Sequence, residues 1–473
     1  MINRFNNLTS KEWLPFQKSW FKFTDDETLY RQNIRFFIQF DDPEKEPNLL
    51  FWGSDEQLKT IKILQKELGF NLFVPENSKK ADTFQFVLID LRSFITGNRS
   101  FDNYMIIKNQ TLELIYGLKN KILHRRFISI QISNIYNENV FFPFAWDLAK
   151  TISSFYSLKD EKTGCLNTGQ VSEKSDYFKT SGNLFYGLYF RADEKSQYQA
   201  NSFAYPFFEN TCQIKADKVL FDDFPSWYIL KPKPRKKTEI LHPAKYPEDL
   251  AEMHIKAFTK EGENVFDPMS GTGSTQIAAL MLNRNAYGTE LSQFFCNIAN
   301  ERCKNLKSGN NKSSEYKILC QDARKIKPKN FPLIDYIITS PPYWDMLNMK
   351  GAENQAKRIK NGLQLNYSEN MEDLGNTSDY NQFLSDLTNI YFNLILILKP
   401  GGYITIVVKN IKKKGNNYPF AWDLALRLQK KLILLPESFW LQDDISIAPY
   451  GYGNTFVSNT FHQYCLTFQK PVL

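Results

Sequence analysis

A chain of 473 residues exceeds the size at which one hydrophobic core usually stops growing, so two domains are expected. Its 42% apolar and 15% aromatic content is that of a globular protein, and no apolar run reaches the roughly 18 residues of a membrane span. The net charge of +8 is compatible with a polyanionic partner, although Lys and Asn are abundant throughout and make this weak support.

The start, MINRFNNLTSKEWLPF, lacks the basic, apolar and small-residue pattern of a signal peptide and predicts a cytoplasmic location. Cys165, Cys212, Cys296, Cys303, Cys320 and Cys465 form no CxxC pair and have no His at ligand spacing. Buried thiols are therefore expected, and no metal site.

In chain order, the first strong pattern is FISIQISNIYNENVFFPFAWDLA from Phe127, an apolar strand, a polar loop and a helix opening near a proline. It returns as YITIVVKNIKKKGNNYPFAWDLA from Tyr403 at a constant offset of 276, so Pro143 to Ala149 repeats as Pro419 to Ala425. Seven identical residues with matched flanks exceed a chance helix motif and predict duplication of a whole domain. YGLYFR at Tyr186 likewise matches YCLTFQ at Tyr464, as a late strand would. Between the copies, KPKPRKK at 231–237 reads as a linker, either a solvated connector or a phosphate-contacting strip. The domains are placed at 1–230 and 231–473.

The second half opens with NVFDPMSGTGSTQIAALMLNRNAYGTELS: a strand, a Gly-rich turn, a helix and a second strand ending at Glu290. This is the β-α-β start of a nucleotide-binding, doubly wound sheet. Asp267 precedes the turn, Gly271 and Gly273 let backbone approach a ligand, and Glu290 can accept from ribose hydroxyls. Ser274 and Gln276 depart from the GxGxxG fingerprint, which favours a nucleoside over a pyrophosphate. Downstream, DYIITSPPYWDML ends a strand directly before Ser340, Pro341, Pro342 and Tyr343. Paired prolines stiffen the backbone and can aim a carbonyl and the Ser340 hydroxyl at an amino group, with Tyr343 as a stacking face.

DPMSGTGS and TSPPYW resemble motifs I and IV of the amino-methylating DNA methyltransferases, which form N6-methyladenine or N4-methylcytosine. HPAKYPEDLAEMHIKAF, from His242, resembles their motif X helix, and the likeness covers residues 239 to 470. It implies two Rossmann-like doubly wound α/β domains in tandem, the first degenerate, and S-adenosylmethionine as cofactor. The loop Asp267 to Gly273, with Pro268 and Gly271, and the segment Pro243 to Tyr246, with Lys245, would lie near its methionine part, Glu290 at the ribose and Asp322 at the adenine. Ser340, Pro341, Pro342 and Tyr343 would be catalytic, acting on a flipped base of double-stranded DNA. A cognate restriction endonuclease or defence system is compatible with this reading. Ser at the first motif position, where adenine enzymes more often carry Asp or Asn, leans towards cytosine N4, though a hydroxyl serves adenine too. Two other readings are an RNA amino-methyltransferase and a noncatalytic DNA-binding protein with worn methyltransferase folds; intact SPPY and GTG turns speak against the latter. Lys409 and Lys412 to Lys414 read mainly as a solvated loop.

In the first half, QFVLIDLRSF should match the strand bearing SPPY, with Asp90 at Ser340's place, and LLFWGSDEQL keeps only Gly53 of the glycine turn. The chemistry is lost. This half either docks or reads DNA, or packs against the active half, since Trp13, Lys18, Trp20, Lys22, His124, Arg125 and Arg126 suit both tasks. A target-reading segment is expected here or at Asn348 to Tyr380.

Overall fold

The computed structural model describes residues 6–40, 46–137, 140–166, 177–180, 184–193, 224–230, 246–309, 313–344, 374–413, 416–443 and 460–472. Pro243, Lys245, the 231–237 linker, Cys212, Lys414 and most of 348–380 lie outside them.

The first half forms a mixed sheet of β1 (Trp20–Phe23), β2 (Asn48–Trp52), β3 (Asn71–Phe73), β4 (Phe84–Asp90), β5 (Ile122–Ile132), β6 (Ser157–Leu166) and β7 (Leu184–Arg191). Their order across the sheet is β1-β6-β7-β5-β4-β2-β3. β5, β4, β2 and β3 are parallel, and β7 is antiparallel to both β5 and β6.

The second half uses β8 (Trp227–Leu230), β9 (Asn264–Asp267), β10 (Asn285–Glu290), β11 (Tyr316–Cys320), β12 (Ile334–Thr339), β13 (Leu398–Val408), β14 (Ser438–Leu441) and β15 (His462–Gln469). These lie in the order β8-β14-β15-β13-β12-β9-β10-β11, so strand for strand the second sheet follows the first and adds β11. It also crosses the boundary expected at residue 230. β8 pairs in parallel with β14, and a short strand at Tyr177–Thr180 pairs beyond β8, because the edge of the sheet needs main-chain partners that the preceding segment supplies.

Alternation along the central strands sends their side chains into different cores. In β4, Phe86 and Leu88 face α1 (Asp26–Phe37) and α2 (Asp55–Leu68), while Val87 and Ile89 face α3 (Phe101–Gly117) and α4 (Phe144–Ile152). In β12, Tyr336 and Ile338 face α5 (Glu248–Phe258), α6 (Ser274–Met281) and α7 (Gln293–Gly309), while Ile337 faces α8 (Tyr380–Leu394) and α9 (Phe420–Leu428). The inner faces merge. One buried cluster holds Ile89, Ile130 and Trp146 together with Ile337, Ile404 and Trp422, so the halves share a core instead of hanging on a linker.

The repeated sequence folds alike in both halves for the same local reason. Pro143 and Pro419 sit at the helix starts with φ near −80° in each, and Asn134 and Asn410 accept from Ala145 N and Ala421 N at 2.8 and 2.9 Å. The contacts between halves are reciprocal, as in an isologous pair. Trp146 stacks near Trp422, centroids 6.3 Å apart. Glu161 accepts from Asn410 and Tyr464, and Glu437 accepts from their counterparts Asn134 and Tyr186. Trp20 donates to the Gln442 carbonyl, and Trp227 to that of Leu166.

Two expectations are corrected. Cys296 and Cys320 form a disulfide between α7 and the end of β11, which places their sulfurs together where spacing alone gave no sign; Cys165, Cys303 and Cys465 are buried thiols. The Lys409 to Lys413 loop is packed, not solvated: Lys412 is paired with Asp160, and Lys413 lies 3.8 Å from the Trp344 ring. Among the described residues, no helix is long and apolar enough to cross a membrane.

Candidate active site

Two turns leave the carboxyl ends of neighbouring parallel strands. β9 pairs with β12 at Val265–Tyr336 and Phe266–Ile337, so the glycine loop after Asp267 and the corner after Thr339 open on one edge of the sheet.

The glycine loop is held from three directions. Gly273, with φ +82°, turns the chain into α6, and Gly271, with φ +53°, donates its N–H to Glu290 Oε2 at 2.7 Å. Glu290 Oε1 accepts from Ser292 N at 2.9 Å, so the carboxylate is fixed at the end of β10 by the main chain on both sides. The Pro268 carbonyl accepts from Thr289 Oγ1 at 2.6 Å, and Arg302 donates to the Thr272 carbonyl at 2.6 Å. Asp267 is buried and accepts from Met269 N at 3.0 Å, Thr275 Oγ1 at 2.6 Å and Tyr246 OH at 3.2 Å. Burial pushes its carboxyl above the usual range against those donors. Asp322 stands at the start of the turn after β11; burial raises its carboxyl, but hydrogen bonds and charge from Arg324 outweigh it and hold it low.

Gly288 was not singled out from the sequence. A Cβ there would strike Ser270 Oγ, Gln276 Nε2 and, at 2.7 Å, the Asp267 carbonyl, so β10 needs a bare backbone for the loop to lie against it. An isolated glycine inside a strand pattern, two residues before Glu290, was the available signal. Tyr246 closes the segment expected beside the cofactor, whereas Thr275 and Arg302 carried no such signal.

At the corner, Ser340 Oγ donates to the Val407 carbonyl at 3.1 Å. Its proton is thus committed and its lone pairs remain, which makes the hydroxyl an acceptor. Tyr343 is anchored at its OH by Gln463 Oε1, 2.9 Å away, and Lys409 Nζ lies 5.1 Å from its ring centroid. Burial lowers the Lys409 ammonium. Trp344 packs below, 4.8 Å from Tyr418 and 5.2 Å from Tyr380. The described members of the expected site, Asp267, Pro268, Gly271, Gly273, Glu290, Asp322 and Ser340 to Tyr343, therefore all belong to turns or strand ends on this edge.

The matching edge of the first half is filled. Asp90 pairs with Gln131 in β5, in register with Ser340 beside Val407. Its carboxylate takes Tyr30 OH at 2.6 Å and the Arg92 guanidinium, which also reaches Asp26 and lies over Phe23 and Phe185 at 4.9 and 4.5 Å. Trp13 and Trp20 are buried.

A glycine loop with an acid at the adjoining strand end, beside a corner with an acceptor hydroxyl and an aromatic ring, is the arrangement that the resemblance to the amino-methylating DNA methyltransferases implied. The chain belongs to the DNA methylase family, whose model matches residues 5–301, through the first half and the glycine loop and ending ahead of Ser340. It is 51% identical over 69 residues to an orphan methyltransferase, M.BamHII, of Bacillus amyloliquefaciens, covering 15% of this chain and 26% of that one. It is 33% identical over 109 residues to the type II methyltransferase M.BglI of Bacillus subtilis (23% and 28%), and 30% over 99 residues to M.BglII of the same organism (21% and 28%). The matches thus span little more than a quarter of each of these relatives. The family is S-adenosylmethionine-dependent, and the residues fit that cofactor: the bare backbone at Gly288 lets the glycine loop lie against β10, where Glu290 holds the Gly271 N–H at the strand end expected to meet it.

Proposed function

We propose that this chain methylates the exocyclic amino group of a base swung out of double-stranded DNA, cytosine N4 in preference to adenine N6, with residues 231–473 catalytic. The observation that supports this most is the emergence of the glycine loop and the SPPY corner from adjacent parallel strands. S-adenosylmethionine supplies an electrophilic methyl group when bound.

Extruding a base costs a few kcal/mol of stacking and pairing, which the Tyr343 ring offsets in part. The amine lone pair is delocalised into the base ring. Acceptors at Ser340 Oγ and the Pro341 carbonyl hold the NH2 hydrogens and stabilise the positive charge that grows on nitrogen during attack. Fixing that nitrogen in line with the methyl carbon supplies much of the remaining rate gain. Ser340, where adenine enzymes more often carry Asp or Asn, favours the cytosine reading. The sealed first half takes no cofactor, and the repeat suggests descent from one duplicated unit.

Incubation of the full chain with radiolabelled S-adenosylmethionine and either unmethylated DNA or RNA tests the proposal, with nucleoside analysis of the product. N4-methylcytosine in DNA is expected; N6-methyladenine would correct the base, and label in RNA alone would overturn the substrate.

A further inference from the structure

We infer that Glu161, a residue of the silent first half, positions the catalytic corner of the second; this rests on the proposed base-methylating role of Ser340 to Tyr343. Glu161 is 3% exposed and projects from β6 across the seam. Its Oε1 accepts from Asn410 Nδ2 and its Oε2 from Tyr464 OH, both at 2.8 Å. Asn410 directly follows Lys409, whose ammonium lies over the Tyr343 ring, and Tyr464 directly follows Gln463, which holds the Tyr343 hydroxyl. One carboxylate therefore pins both backbone segments from which Tyr343 is gripped. Asp160, the neighbouring residue, adds an ion pair to Lys412 on the same loop.

Hydrogen bonds to a carboxylate in a dry interface are strong and directional, so the grip is stiff. A ring displaced by about 1 Å loses much of its stacking and of the in-line geometry.

The molecule contains its own control. Glu437 makes the reciprocal pair of bonds to Asn134 and Tyr186, but these flank the first half's filled site and grip nothing catalytic. A merely structural interface would make the two carboxylates equivalent in function.

The test compares full-length wild type, Glu161→Gln and Glu437→Gln, assayed well below their melting temperatures for label transfer from S-adenosylmethionine to unmethylated DNA of high sequence complexity. Glu161→Gln is expected to lower kcat by roughly tenfold or more, with the KM for S-adenosylmethionine unchanged, while Glu437→Gln stays within about twofold of wild type. Equal losses in both variants, or none in Glu161→Gln, overturn the inference and leave the methylation reading standing. Fluorotyrosine at position 343 gives a second readout that needs no nucleic acid: its resonance should move or broaden in Glu161→Gln and not in Glu437→Gln. If wild type labels only RNA, the DNA reading falls, and that resonance alone decides the positioning.

Discussion

At the end of β4 the first half places Asp90, Arg92 and Tyr30; at the equivalent end of β12 the second half places Ser340, two prolines and Tyr343. The backbones run in the same register, and the difference lies in what the side chains do with the space. In the first half a guanidinium, two carboxylates and aromatic faces satisfy one another and close the edge. In the second, the Ser340 hydroxyl spends its proton on the Val407 carbonyl and the Tyr343 ring is tethered through its hydroxyl to Gln463, with no carboxylate or guanidinium of the Asp90–Arg92 kind among them. A doubly wound scaffold is thus neutral about chemistry, and a few side chains at the strand ends decide it.

The largest effect should come from breaking the open edge. Tyr343→Ala is expected to lower DNA methylation by roughly a hundredfold or more, with S-adenosylmethionine affinity by calorimetry nearly unchanged; full methylation by the variant removes this tyrosine from the site. Breaking the closed edge should act on stability alone. Asp90→Ala takes the buried carboxylate from Tyr30 and from the partly buried Arg92, which keeps only Asp26, and is expected to cost about 3 kcal/mol in denaturant unfolding, with cofactor affinity retained. If affinity vanished while the fold persisted, the first half would be handling the cofactor after all.

A smaller change sharpens the contrast at the cradle. Gly288→Ala forces a methyl group against Ser270 and the Asp267 carbonyl and should weaken S-adenosylmethionine binding by roughly tenfold. The contrast between the halves fails if Gly53→Ala, beside the filled edge, weakens it as much. The smallest effect concerns pH. Burial raises the Glu437 carboxyl to about 7, above its ordinary 4.5, so the folded protein holds this proton more tightly than the unfolded chain. Stability from this group is therefore full below about pH 4.5 and declines as pH rises towards 7. Glu437→Gln should gain melting temperature relative to wild type between pH 5 and about 7.5, and a constant difference would refute the shift.

What the sequence disclosed were the features imposed by backbone and composition: the glycines of the loop, the paired prolines, the acid closing β10, and the 276-residue echo. What it withheld depends on register and on residues far apart. Lys409 looked like one of several solvated lysines because the Tyr343 ring beneath it lies 66 positions away in sequence. The Cys296–Cys320 bridge joins residues 24 apart with no spacing signature. The equivalent strands β1 and β8 share a Ser-Trp opening, at Ser19 and Ser226, that would have moved the start of the second repeat ahead of residue 231. Glu161 and Glu437 occupy equivalent places, yet their swapped partners emerge only when the two sheets meet.

The merged inner core carries a practical corollary. Severing the chain at 231–237 would not free an independent catalytic fragment, because Trp422, Ile404 and Tyr464 would lose the apolar wall contributed by Trp146 and its neighbours and face water. Heat or denaturant should melt the polypeptide in a single cooperative event rather than in two stages.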